Sequence, residues 1–221
     1  MRIRFKKWAR PELEASSFYI DNPEEYKGKW RTLFKNNNKL YIELGCGKGS
    51  FISNLASVNK DINYIAIDLV DAMLGLAKRN IEEIYSLRKE AINNIYISRY
   101  DIERILNVFS KEDKIERIYI NFCNPWPRGK HHKKRLTHTR QLDKYKEFLI
   151  DNGEIFFKTD DDNLFRDSLT YFKESGFEVK KITYDLEAEE NFWNGEENIK
   201  TEHEKMFEEQ GIKIKALIAC N

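Results

Sequence analysis

The chain has 221 residues, enough for one domain with a buried core and too few for two full ones. Its 38 Lys and Arg nearly balance 37 Asp and Glu, so net charge selects no partner, while 41% hydrophobic and 13% aromatic residues exclude a disordered chain. No apolar run approaches the roughly 20 residues of a membrane span, and no apolar stretch follows the basic N-terminus to make a secretory signal. The three cysteines (Cys46, Cys123, Cys220) are widely spaced and lack zinc-site pairing, which fits a reduced cytoplasmic protein with no metal.

Residues 1–39 read as a polar, partly helical extension that opens with five basic side chains in ten residues (Arg2, Arg4, Lys6, Lys7, Arg10). A single domain is expected over 40–221. The first strand spans 40–44 and stops at a glycine-rich turn, with a short helix from Ser50 to about Ser57. A strand over 64–67 follows, then a helix capped by Asp71 in which Leu74, Ala77, Ile81 and Ile84 recur at helical spacing. Residues 95–97 read as strand, 102–109 as a short helix and 118–122 as strand. Leu142, Tyr145 and Leu149 mark another helix that ends before Gly153. A strand over 155–159 and a helix over 164–175, closed by Gly176, come next, with Asp161 and Asp162 as its caps. Last come paired strands over 177–184 and 212–219, the second alternating apolar residues with Lys213 and Lys215. This alternation predicts an α/β fold: a Rossmann-like, mostly parallel sheet with helices on both faces and an antiparallel C-terminal strand. Ligands of such sheets sit beyond the carboxyl ends of the strands.

Beyond the first strand runs Glu43-Leu44-Gly45-Cys46-Gly47-Lys48-Gly49. The glycines permit a tight turn and close approach of a ligand, and the following helix offers free N–H groups. Asp68, at the end of the second strand, can accept from two ribose hydroxyls, and Asp101, after the third, can hold an adenine edge. This set resembles the S-adenosylmethionine site of class I methyltransferases. An NAD-binding domain is the alternative, but the spacing is G-x-G-x-G where dinucleotide folds use G-x-G-x-x-G, and no second half of comparable size follows.

Beyond the fourth strand comes Asn124-Pro125-Trp126-Pro127-Arg128 and then a basic run. Two prolines fix a rigid loop that holds a polar side chain beside an aromatic face, a unit suited to a planar base, and the cations that follow suit phosphates. Residues 128–140 carry six basic side chains, three histidines and no acid, whereas 185–209 carry ten acids against Lys200 and Lys205. Within the latter stretch, residues 187–209 read as a solvated insertion that reaches the site only through residues 201–204. The histidines lack partners at ligand spacing and read as neighbours of phosphates, and Cys46 and Cys123 read as small core residues.

Here the resemblance narrows to the bacterial tRNA (guanine-N7-)-methyltransferases. It is carried by Arg2-Ile3-Arg4-Phe5-Lys6-Lys7-Trp8-Ala9, the glycine loop, the Pro-Trp-Pro segment with its basic tail, Arg135-Leu136-Thr137, Phe157-Lys158-Thr159-Asp160 and Thr201-Glu202-His203-Glu204. The resemblance implies S-adenosyl-L-methionine as cofactor, tRNA as partner, methylation at N7 of a variable-loop guanine, and no obligatory protein partner, the chain acting as a monomer or homodimer. It places Glu43, Gly45, Gly47, Gly49, Asp68, Asp101 and Asn124 at the cofactor. Arg128, Asp160, Thr201, Glu202, His203 and Glu204 fall at the substrate, and Lys130, His131, His132, Lys133, Lys134 and Arg135 on RNA. The family usually has aspartate, treated as catalytic, where this chain has Asn124, and tyrosine where it has His203. Guanine N7 carries a lone pair and no proton, so asparagine need not abolish transfer. Two alternatives remain. One is an amino-methyltransferase that uses Asn124-Pro125-Trp126-Pro127 on an exocyclic amine, and the other is an inactive RNA-binding module of the same fold.

Overall fold

The computed structural model describes residues 5–193 and 196–221; Arg2, Ile3 and Arg4 of the basic opening lie outside them. The chain divides into two compact units, Met1–Asp113 and Lys114–Asn221.

In the first unit the strands run in the order β1-β4-β3-β2, all parallel. They span Tyr19–Ile20 (β1), Lys39–Leu44 (β2), Ile62–Asp68 (β3) and Ile95–Arg99 (β4). Tyr64, Ile65, Ala66 and Ile67 of β3 are wholly buried, the continuous apolar run of a strand covered on both faces. Three helices accompany them: α1 (Ala9–Glu14), α2 (Ser50–Val58) and α3 (Asp71–Arg88). Asp71 does not cap α3. Val70 is the N-cap, and Asp71 is the first helical residue, paired with Arg99 at 3.3 Å. The buried face of α3 closes on Tyr85, with Ile84 only half-buried.

Residues 5–39 are more deeply folded than a polar extension. Ala9, Leu13, Phe18, Trp30 and Phe34 are buried. Trp30 Nε1 donates to the Val108 carbonyl at 2.9 Å, while the Asp113 carboxylate accepts from the Gly28 and Trp30 amides at 2.9 and 3.1 Å. Gly75 in α3 lets α1 approach, since a Cβ there would stand 2.7 Å from the Trp8 ring. Around 102–107 the expected helix is a 3₁₀ segment kinked at Arg104.

In the second unit the order is β5-β6-β8-β7. The parallel pair is β5 (Ile115–Asn121) and β6 (Leu149–Thr159), while β8 (Lys215–Cys220) runs antiparallel to both β6 and β7 (Glu178–Thr183). The helices are α4 (Thr139–Lys146), α5 (Asp162–Glu174) and α6 (Glu202–Glu209). Leu149 lies in β6 and not in α4: its apolar spacing continues the helical period, but pairing with Ile115 captures the chain as strand. Asp161 caps α5 by accepting from the Leu164 amide at 2.7 Å; Asp162 instead pairs with Lys215 at 2.6 Å. Lys215 is buried, contrary to its alternation pattern, with its amine held by Asp162 and the Asp160 carbonyl.

Candidate functional site

Parallel registration of β2, β3 and β4 brings their carboxyl ends level, Leu44 beside Ile67 and Asp68 beside Arg99. The glycine loop leaves β2 with Gly45, Gly47 and Gly49 at φ of 82°, 54° and 71°, conformations that side chains with a Cβ adopt at a cost. The amides of Gly45 and Cys46 both donate to the Ile67 carbonyl, at 2.8 and 3.1 Å. Gly49 has no room on its inner side, for a Cβ there would come within 2.6 Å of the Ala77 Cβ, whereas one on Gly47 would meet nothing within 4 Å. The loop is thus packed against α3 at one glycine and open at another. The Asn80 side chain donates to the Lys48 carbonyl at 2.8 Å and fixes the far end.

Asp68 is oriented by the backbone, its two oxygens accepting from the Gly47 and Val70 amides at 2.9 Å each. Burial raises its pKa, and those amides oppose the rise. Two bonds leave the carboxylate further acceptor capacity, directed by a fixed plane. Leu69, next in the chain, is 53% exposed and offers an apolar face. Asp101 accepts from the Glu103 amide at 3.0 Å and caps the 3₁₀ segment. Glu43 is buried, and its charge with that of Asp68 adds to the burial that holds the Cys46 thiol protonated. These residues fit an adenosyl ligand: a Cβ-free cradle, a preset carboxylate and an apolar neighbour. The first unit brings together Glu43, Gly45, Gly47, Gly49 and Asp68 at two adjoining strand ends, and Asp101 stands two residues beyond β4.

In the second unit Asn121 of β5 registers with Lys158 of β6, and the chain then enters a strained loop. Phe122 and Trp126 have φ of 49° and 42°, left-handed values that cost non-glycine residues about 1–3 kcal/mol each. Asn124 is exposed, and its side-chain oxygen accepts from the Trp126 amide at 3.0 Å. This is an Asx turn, which aspartate and asparagine form alike, so the asparagine preserves the loop-shaping bond and gives up only the charge. Trp126 lies 5.7 Å from the His131 ring, with Lys134 Nζ 5.1 Å from its centroid. Arg128, Lys130, Lys133 and Lys134 are exposed, His131 and His132 half-buried, and Arg135 is buried. Burial pushes the Cys123 thiol up to about 12, so neither Cys46 nor Cys123 offers a thiolate at neutral pH.

Asp160 follows β6, and its carbonyl accepts from Lys215 Nζ at 2.9 Å. Thr201 and Glu204 form a capping box at the start of α6. Both are buried, and Glu204 is committed inward, with Lys158 Nζ at 2.8 Å and Asn198 Nδ2 at 2.6 Å. Glu202 and His203 are exposed on the same turn, and the His203 ring stacks on Phe122 at 5.9 Å. The turn that carries 201–204 therefore stands beside the start of the Pro-Trp-Pro loop. The acidic stretch before it is not merely solvated. Leu186, Phe192 and Trp193 are buried, and Glu196 pairs at 2.7 Å with Arg117, a buried guanidinium that also holds Glu154 at 2.6 Å. Sequence reading missed Arg117, whose carboxylates lie 37 and 79 residues away, and Asn198, which bridges Lys158, 40 residues away, to Glu204. Lys158 was visible within its motif, without a role.

Among the described residues no group of three or more His, Cys, Asp or Glu could hold a metal ion, and no helix is long and apolar enough to cross a membrane.

The family described as "Putative methyltransferase" matches residues 37–217. A tRNA (guanine-N(7)-)-methyltransferase of Clostridium beijerinckii is 58% identical over 219 residues, which cover 99% of this chain and 98% of that protein. Its namesake in Clostridium perfringens is 56% identical over 220 residues, 99% of each chain. Among solved structures, the 16S rRNA methyltransferase KamB superposes with a TM-score of 0.62 at 12% identity, over 87% of this chain and 92% of that one. An antibiotic-related methyltransferase does so at 0.58 and 18%, over 86% and 90%. These likenesses establish the class I methyltransferase fold. At more than half identity over nearly its full length, the chain belongs to the tRNA (guanine-N(7)-)-methyltransferase family.

Proposed function

We propose that this protein methylates N7 of a guanine in the variable loop of tRNA, in the cytoplasm, with S-adenosyl-L-methionine as methyl donor. The observation that carries the reading is the 58% identity over 219 residues to a relative of that name. The donor supplies an electrophilic methyl group. Guanine N7 has a lone pair and no proton to lose, so transfer needs alignment and tolerance of the positive charge that moves onto the ring rather than a general base.

The residues divide this work. Gly45, Gly47 and Gly49 would let the donor approach the backbone, Asp68 would accept from its ribose hydroxyls and Asp101 from its adenine edge, with Glu43 behind the methionine end. Asn124, held by its turn to Trp126, would present its amide to the target guanine, while Asp160 and Glu202 supply the negative field that asparagine lacks. Arg128, Lys130, Lys133 and Lys134 would meet phosphates, with His131 and His132 beside them. Thr201 and Glu204 act through the cap that turns Glu202 and His203 outward. Selectivity would come from the shape of folded tRNA and one presented base. We assign this work to the domain over 40–221 together with the basic N-terminal segment, whose residues 5–39 pack into the first unit, without an obligatory protein partner, as a monomer or homodimer.

The test is transfer of labelled methyl from S-adenosyl-L-methionine to unmodified tRNA, followed by nucleoside analysis. Label in N7-methylguanosine is expected. Label on an exocyclic amine would instead indicate an amino-methyltransferase, and tRNA binding without label an inactive RNA-binding module.

A further inference from the structure

The Pro-Trp-Pro loop is bracketed by left-handed Phe122 and Trp126, and such a backbone persists only where its surroundings over-determine it. Arg135 supplies that constraint. Its side chain is 1% exposed. Nε donates to the Pro125 carbonyl at 2.7 Å, Nη1 to Asp167 Oδ2 at 2.6 Å and Nη2 to His132 Nε2 at 3.1 Å. A guanidinium only donates, so that histidine nitrogen accepts. Thr137 continues the attachment, its hydroxyl 2.6 Å from Ser168 Oγ. Arg135-Leu136-Thr137 is therefore a strap. It ties the loop just after Asn124, through Pro125, to α5 through Asp167 and Ser168.

We propose that Arg135, held by Asp167, is a positioning residue that fixes the peptide carrying Asn124, and that it is not a phosphate contact. Its position in the basic run suggests RNA. Its geometry does not, because a buried guanidinium already engaged by a carboxylate, a carbonyl and an imidazole presents little to a phosphate. Lysine cannot replace it, since an ammonium lacks the planar fork that reaches three partners at once. The activity readouts rest on the methyl-transfer reading above.

The experiment compares wild type, Arg135→Lys, Asp167→Asn and, as an exposed-cation reference, Lys133→Ala. It measures the single-turnover rate at saturating tRNA, tRNA affinity across a salt series, and exchange of the Trp126 amide. Arg135→Lys and Asp167→Asn should slow the rate about 10- to 100-fold and speed Trp126 exchange, with tRNA affinity and its salt slope unchanged. Lys133→Ala should lose roughly 0.7–0.9 of salt slope, the increment of one phosphate contact. A wild-type rate in either strap variant, or that slope loss in Arg135→Lys, overturns the proposal. Asp167→Asn decides the matter should Arg135→Lys not fold. A phosphate-binding Arg135 would be released by it and tighten tRNA, whereas a strap would slacken. If wild type itself methylates no tRNA, the functional reading fails, and amide exchange still judges the strap.

Discussion

Glu204→Gln separates a scaffold from a substrate contact at the one acidic residue the family resemblance places on substrate and the fold places inside. Glu204 and Lys158 are 1% and 3% exposed and 2.8 Å apart. Asn198 donates to the other carboxylate oxygen at 2.6 Å, and the Thr201 amide closes the cap at 3.3 Å. Removing the charge strands Lys158 in the interior. Breaking a buried pair from one side costs about 3–5 kcal/mol, while replacing both members with apolar groups is often neutral. A chain of this size loses about 2–4 °C of Tm per kcal/mol. Thermal unfolding of Glu204→Gln, followed by circular dichroism, should fall by roughly 6–20 °C, and Lys158→Met in the same chain should restore much of the loss. A change under about 2 °C together with lost tRNA binding would refute the reasoning, because the carboxylate would then face RNA.

Other consequences concern the two strand-end sites. Asn124→Asp should keep turnover, since the Asx turn survives, and Asn124→Ala should lower it at least about tenfold as the loop loses its bond to Trp126; steady-state rates with tRNA decide it. Gly49→Ala forces a Cβ to 2.6 Å from that of Ala77 at a φ of 71°, so overpacking of about 1–3 kcal/mol should weaken cofactor binding in calorimetry, whereas Gly47→Ala, which meets only strain, should be milder. The Asp68 carboxyl titrates above its usual range because it is buried. Its protonated form is the one favoured by folding, and only the ionised form accepts from both hydroxyls of a ribose. Cofactor affinity should therefore drop on acidification at a pH above the ordinary aspartate value, and an Asp68→Asn variant that kept the same pH dependence would rule this group out.

What could be read from the sequence follows from the range of the forces involved. The strand-to-glycine-loop turn, the carboxylate ending β3 and the rigidity around Pro125 and Pro127 are set by residues within a few positions of one another. Arg135 and Asp167 are 32 positions apart, and Arg117 and Glu196 are 79; nothing local distinguishes them from surface charges. Composition misled where tertiary pairing decided the outcome. Lys215 alternated as an outward residue but is held by the Asp160 carbonyl and Asp162, and the acidic stretch read as solvated because neither Arg117 nor Lys158 announces the carboxylate it pairs with. Leu149 fitted a helix by period and became strand by pairing. Residues 5–39 looked polar because Trp30 and Phe34 lie scattered among charges rather than in a periodic run.

The central claim is best tested by mapping the methyl group. Wild-type protein and labelled S-adenosyl-L-methionine would be given two transcripts of one tRNA, one intact and one with adenine in place of the variable-loop guanine. Chain scission specific to N7-methylguanine would then locate the modification. The account predicts scission at that guanine in the first transcript and none in the second. Methylation of both, or at an exocyclic amine, would contradict it.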